Sequence, residues 1–148
     1  MQEKELIEYL KEVDKLFPIP ISQKVELASY AHKLIQKATL CPQYMDGKLV
    51  GLVAGYTDNI INGMAYIAMV SVSKKVQNQG IAKKLIKKFC VRCEEKKIKK
   101  VHLYTDSGND VAIKMYNKLG FKQVYIKNDP RPKDVHFILE IEKLLGDK

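Results

Sequence analysis

Five prolines in 148 residues, with no internal repeat, low-complexity tract or convincing linker, leave little in this chain that reads as disordered. No apolar run approaches the roughly 20 residues needed to span a bilayer, which points to a protein with no membrane segment. The opening Met1-Gln2-Glu3-Lys4-Glu5 mixes charges in a helical register and does not read as a secretory leader. Three cysteines are too few, and odd in number, for a disulfide framework, so free thiols in a reducing, cytoplasmic setting are expected. Two of them form Cys90-Val91-Arg92-Cys93, but in mid-helix, whereas a redox pair wants a helix N-terminus to hold its thiolate. No second Cys/His pair stands at zinc-ligand spacing, so these cysteines are expected to be small core hydrophobes and no metal site is expected.

What is present fits one domain over residues 1–148, 46% hydrophobic and long enough to bury a core. The net charge is +9 and uneven, since residues 83–100 hold nine basic residues against two acids. A face of that kind suits a polyphosphate, a nucleic acid or water alone. The segment offers few aromatics for stacking and no nucleic-acid recognition motif, so nucleic acid is not the expected partner.

Leu6, Ile7, Leu10, Val13 and Phe17 recur at helical spacing, and Pro18 and Pro20 end that helix. Ser22 is the expected N-cap of a second helix carrying Val25, Ala28, Ala31 and Ile35. Residues 40–45 and 49–56 flank Asp46-Gly47, a hairpin signal, and a third strand over 65–72 follows turns at Asp58-Asn59 and Asn62-Gly63. A helix over 80–97 buries Ile81, Leu85, Ile86, Phe89, Cys90 and Cys93, and 100–105 is a strand. Asn109 or Asp110 caps a short helix bearing Ala112, Met115, Tyr116 and Leu119, which Gly120 stops. Strands over 121–126 and 136–141 close the chain around a loop at 128–134. The class is α+β, a mixed sheet with helices on its faces.

Between the third strand and the following helix lies Gln77-Asn78-Gln79-Gly80-Ile81-Ala82. Gly80 lets backbone approach a ligand closely, and the helix start adds unpaired N–H groups and partial positive charge, with Lys83 and Lys84 beside them. That turn, preceded by Val70-Ser71-Val72 and followed by Asn109 and by Tyr116-Asn117-Lys118-Leu119-Gly120-Phe121, resembles the GNAT superfamily of acyl-CoA-dependent N-acyltransferases over roughly residues 47–126.

The resemblance implies a mostly antiparallel mixed sheet whose central strands splay. It further implies acetyl-CoA as cosubstrate and an acetyl group passed by direct attack in a ternary complex to a primary amine. That amine is a small molecule, a protein N-terminus or a lysine. It assigns cofactor contacts to Val70, Ser71 and Val72, where edge groups would pair with the pantetheine arm. It also assigns them to Gln77, Asn78, Gln79, Gly80, Ile81, Ala82 and Lys83 around the diphosphate, and to Asn109 near the pantetheine. Tyr116 becomes the acid that protonates the departing thiolate, and a backbone N–H near Val70 the oxyanion donor. Without the resemblance, Tyr116 would read as core and Asn109 as a helix cap alone.

Two departures stand out. The chain opens on a helix where relatives begin with a strand, so the sheet is expected to lack that edge strand. Residues 65–72 contain no acid, and Tyr104 stands where some relatives carry a glutamate base. His102 and Asp106 share its side of the strand by alternation, and neither is singled out over an ordered water. Asp129 and Asp134 are candidates for attracting a cationic acceptor. The competing reading is a GNAT-like module that binds acyl-CoA without catalysis.

Overall fold

A computed structural model describes residues 1–146, the side chains of Asn59 and Ile61 excepted. The chain runs α1 (Glu3–Val13), α2 (Leu27–Lys37), β1 (Thr39–Met45), β2 (Lys48–Ile61), β3 (Met64–Val72), α3 (Ile81–Glu95), β4 (Lys100–Thr105), α4 (Asp110–Leu119), β5 (Lys122–Val124), β6 (Val135–Glu140) and α5 (Ile141–Leu145). The six strands form one sheet in the order β1-β2-β3-β4-β6-β5. Every pairing is antiparallel except β3 with β4. Among the described residues no strand precedes α1, so β1 is the outer strand on that side, as expected from the opening helix.

Each face of the sheet has its own apolar cluster. Leu6, Leu10 and Val13 of α1 and Ala31 and Leu34 of α2 bury one face against Leu52, Ala54 and Met69. On the other face Leu85, Phe89, Cys90 and Cys93 of α3 join Val53, Val101, Leu103 and Phe137. A fully buried side chain of this size contributes about 1.5–3 kcal/mol, which sets the scale on which these stripes hold the helices. Helix α3 comes so close at Gly55 that a Cβ there would lie 2.5 Å from the Phe89 ring and from the Tyr66 carbonyl oxygen. The cysteines are free and buried, and burial pushes the Cys90 and Cys93 thiols up to about 12, away from thiolate chemistry.

Several local readings need correction. Ser22 does not cap α2. It lies in a 3-10 turn, where its amide (2.9 Å) and hydroxyl both donate to the Asp14 carboxylate, and α2 starts after Glu26. The stripe of α2 is accordingly Leu27, Ala31, Leu34 and Ile35, while Val25 and Ala28 are exposed. Asp58-Asn59 is no turn, because β2 continues to Ile61 and the chain reverses at Asn62 and Gly63, both at positive φ. The first closing strand, β5, is shorter than expected, β6 keeps its expected length one residue earlier, and α5 follows it where no helix was foreseen.

Candidate active site

The parallel ladder between β3 and β4 has only three rungs, Met64–Lys100, Ala65–Val101 and Tyr66–His102. Past the last rung the two strands are unpaired with each other. A β-bulge explains the parting. Ala54 pairs with Met69 and Gly55 with Ile67, leaving Ala68 as an extra residue on β3. An extra residue bends a strand and reverses which face its side chains take. Ala65 and Ile67 therefore join the α3 side, whereas Met69 joins the α1 side.

Beyond the bulge, the Ser73 amide donates to the Val50 carbonyl at 2.8 Å. Antiparallel alternation then turns the amide groups of Ser71 toward β2 and those of Val70 and Val72 toward the open edge. The Val72 carbonyl accepts from Gln77 Nε2 at 3.2 Å, which fits that direction. Ser71 is drawn elsewhere, its hydroxyl 2.8 Å from the Tyr9 hydroxyl on α1 and donating to the Leu52 carbonyl at 3.4 Å.

The loop after β3 carries two left-handed residues, Asn78 (φ 66°) and Gly80 (φ 76°), before α3 begins. A Cβ on Gly80 would meet nothing within 4 Å, so backbone conformation alone favours glycine there. No side chain caps α3, which leaves the first-turn amides of Ile81, Ala82 and Lys83 without a capping acceptor. Asn78, Gln79 and Gly80 are exposed at this mouth. Two depressions flank it. One of about 430 Å³ is lined by Gly80, Lys83, Lys84, Lys87, Lys88 and Val91. The other, about 330 Å³ and shared by α3 and α4, is lined by Lys83, Lys114 and Lys118 with Val111, Met115 and Leu119.

Asn109 caps α4, its Oδ1 accepting from the Ala112 amide at 3.2 Å. Tyr116 is 6% exposed and packs against Phe121 and Phe137, with centroids at 5.4 and 5.6 Å. Among the described residues its hydroxyl has no hydrogen-bond partner. Burial raises its pKa well above the usual tyrosine value, so it holds its proton at neutral pH. It belongs to the same apolar cluster against which Val70 and Val72 pack.

The opposite face of β4 and β6 is lined with polar and aromatic groups. His102 Nδ1 lies 3.0 Å from His136 Nε2, and His136 Nδ1 lies 2.9 Å from Asp129 Oδ2. Asp129 Oδ1 accepts from the Tyr104 hydroxyl at 2.7 Å and from the Arg131 amide at 3.0 Å. The Arg131 amide bond, with those from Tyr104 and His136, holds the Asp129 carboxyl below the usual range, while burial and the carboxylate push Tyr104 up to about 12. Asp134 is paired with the Arg131 guanidinium. Both loop carboxylates thus already have protein partners. Sequence reasoning placed His102 and Tyr104 on one face and named Asp129 as a loop carboxylate facing the acceptor, but missed His136 and the bonds that tie Asp129 to it and to Tyr104. The signal for His136 was its strand register with Tyr104, whereas nothing in a proline-containing loop fixed where Asp129 would turn.

Among the described residues no cluster of metal-ligating side chains occurs, and no helix is long and apolar enough to cross a membrane. The family model for "Acetyltransferase (GNAT) family" matches residues 6–121. N-alpha-acetyltransferase 30 of Dictyostelium discoideum is 30% identical over 125 residues, 82% of this chain, and the chain spans only 65% of that protein's length. Among solved structures, the PaiA N-acetyltransferase of Thermoplasma acidophilum in complex with coenzyme A superposes with a TM-score of 0.73 at 18% identity, covering 93% of this chain and 92% of that one. The ribosomal-protein-S18-alanine N-acetyltransferase of Escherichia coli gives 0.68 at 15% identity, covering 93% and 87%. At such identities these two likenesses speak for the fold.

Proposed function

The chain belongs to the GNAT acetyltransferase family, and from that premise we propose that it moves the acetyl group of acetyl-CoA directly to a primary amine, the α-amine of a peptide. The observation that carries this reading is the three-rung β3–β4 ladder, which leaves the Val70–Val72 edge open beside an uncapped helix start. Val70 and Val72 offer main-chain groups on which the amides of a pantetheine arm can pair as an added strand. The amides over 78–83, with Lys83, suit the diphosphate, as unpaired donors at a helix start suit any anion, whereas the Gln77 amide already donates to the Lys74 carbonyl at 3.5 Å. Asn109 lies at the start of α4 on the far side of the gap, where it would contact the pantetheine as well as cap its helix.

The chemistry follows from the two faces of the gap. The amine approaches from the face of His102 and Tyr104, and its nitrogen bonds to the thioester carbon. The Val70 amide stabilises the oxyanion that develops, an effect commonly worth about 3 kcal/mol. Tyr116, on the opposite face and protonated, gives its proton to the sulfur as the carbon–sulfur bond breaks.

Two features support a peptide α-amine. Such amines titrate near pH 7.7–8.0, against about 10.4 for lysine, so far more of the nucleophile is neutral at physiological pH. Asp129 and Asp134 are both engaged, which leaves the loop no spare carboxylate to select a polycationic small molecule. An N-alpha-acetyltransferase is also a relative. The test is mass spectrometry of acetyl transfer from acetyl-CoA to a mixture of peptides with free α-amines, free lysines and polyamines. The expected product is the α-acetylated peptide. Acetylation confined to polyamines or lysine side chains would refute the acceptor assignment, and uptake of acetyl-CoA without transfer to any amine would favour a binding module.

A further inference from the structure

On the face of the sheet away from Tyr116, side chains from two strands and a loop are wired in series. Asp129 Oδ2 is 2.9 Å from His136 Nδ1, and His136 Nε2 is 3.0 Å from His102 Nδ1. His136 is 5% exposed and Asp129 10% by side chain, so the inner links are shielded from water. The outer link, His102, is half-buried and forms with Tyr66 the last rung before β3 and β4 part. We propose that His102 is the catalytic base of the acetyl transfer, and that His136 and Asp129 are positioning residues that keep its Nε2 as the unprotonated nitrogen. The proposal rests on the N-acetyltransferase reading above.

The hydrogen-bond inventory assigns the tautomers. An ionised Asp129 is acceptor only, so His136 carries its proton on Nδ1. When His136 carries only that proton, its Nε2 accepts, and the partner within reach, His102 Nδ1, is the donor. One lone pair remains, on His102 Nε2, for which no protein partner exists among the described residues. Burial alone would oblige His136 to find partners. It would not oblige the series to end on a free imidazole nitrogen beside the opening of the sheet.

One proton moves through this device. As the amine nitrogen bonds to the thioester carbon, its proton passes to His102 Nε2 and later to solvent, while Tyr116 regains from solvent the proton it gave to sulfur. The His102 imidazolium keeps its Nδ1–H on His136, whose Nδ1–H stays on Asp129, and the carboxylate balances the charge without being protonated. The surroundings keep His102 neutral at rest. Burial first, and repulsion from the facing His136 whenever that ring is charged, lower its pKa below the ordinary histidine value, and Asp129 opposes them. Other titratable and charged groups on this face are Tyr104 on the same strand, Tyr66 on β3 with Tyr56 of β2 stacked on it, Tyr30 of α2 beside both, Lys33 of α2 over Tyr56, and Arg131 over Tyr104.

The experiment is a profile of kcat and kcat/KM from about pH 5 to 9, the range in which histidine titrates. It compares wild type, His102→Gln and Asp129→Asn, with acetyl-CoA affinity measured alongside by calorimetry. His102→Gln should lower kcat by roughly 10²–10³-fold, as loss of a general base does, erase the acid limb and leave acetyl-CoA affinity unchanged. Asp129→Asn should lower kcat by about 10-fold and move the acid limb to lower pH, because the imidazolium loses its counter-charge and titrates lower. An active wild type whose acid limb and kcat ignore both substitutions would overturn the base assignment while leaving the N-acetyltransferase reading intact. A wild type that takes up no acetyl-CoA would instead overturn that reading, and the base with it. Should the variants fold poorly, nitrogen-15 NMR of the wild-type imidazoles decides: His102 must be protonated on Nδ1 and bare on Nε2 at neutral pH, and the reverse tautomer refutes the proposal.

Discussion

The two halves of the sheet, β1–β2–β3 and β4–β6–β5, are built to different ends. The first is covered on both faces, by α1 and α2 on one side and α3 on the other, with hydrocarbon at nearly every inward position. The second is apolar on one face, where Val101, Leu103, Phe137 and Leu139 meet Tyr116 and Leu119. Its other face carries His102, Tyr104 and His136. The halves are joined by three rungs and then separate. A half packed on both sides can hold one edge rigid, and a half packed on one side leaves a face for polar chemistry. The parting between them connects the two sides of the sheet.

If that division holds, substitutions in the first half should act on stability and those at the seam on turnover. The largest effect is expected from Phe89→Ala, which empties a fully buried site under β2. It should cost about 3–5 kcal/mol in a denaturant melt, with kcat per folded molecule nearly unchanged. Tyr116→Phe should do the reverse. It should lower kcat about 100-fold, equivalent to about 2.7 kcal/mol, and barely move the melting temperature, since its hydroxyl has no protein partner to lose.

Gly80→Val tests the join itself. A β-branched residue at φ 76° is strained, so about 1–2 kcal/mol of stability should go, and KM for acetyl-CoA should rise as the loop re-forms. Smallest is Asn109→Ala, which removes the α4 cap and should cost about 1 kcal/mol in thermal unfolding. A larger loss of acetyl-CoA affinity than of stability would assign Asn109 the second, ligand-facing duty.

Much of this division was legible in the residues. The stripe from Ile81 to Cys93 and the Asn109-to-Gly120 helix have local causes, namely periodicity, a cap and a left-handed stop, and they came through intact. Ser22 misled because its preferred acceptor, Asp14, is supplied by the chain folding back on itself rather than by the next helix. The bulge at Ala68 was invisible because one extra residue in the apolar run from Ile67 to Val70 leaves its hydropathy unchanged. The His102–His136–Asp129 series was hidden for the same reason as most polar networks, since strand pairing and loop path bring together residues far apart in sequence.

Amide hydrogen exchange with and without acetyl-CoA addresses the central claim most directly. Slowed exchange at Val70, Val72 and the amides from Asn78 to Lys83 is the predicted result, with the Leu52 and Met69 amides unaffected. Uptake of acetyl-CoA that leaves those edge and helix-mouth amides exchanging as before would contradict it.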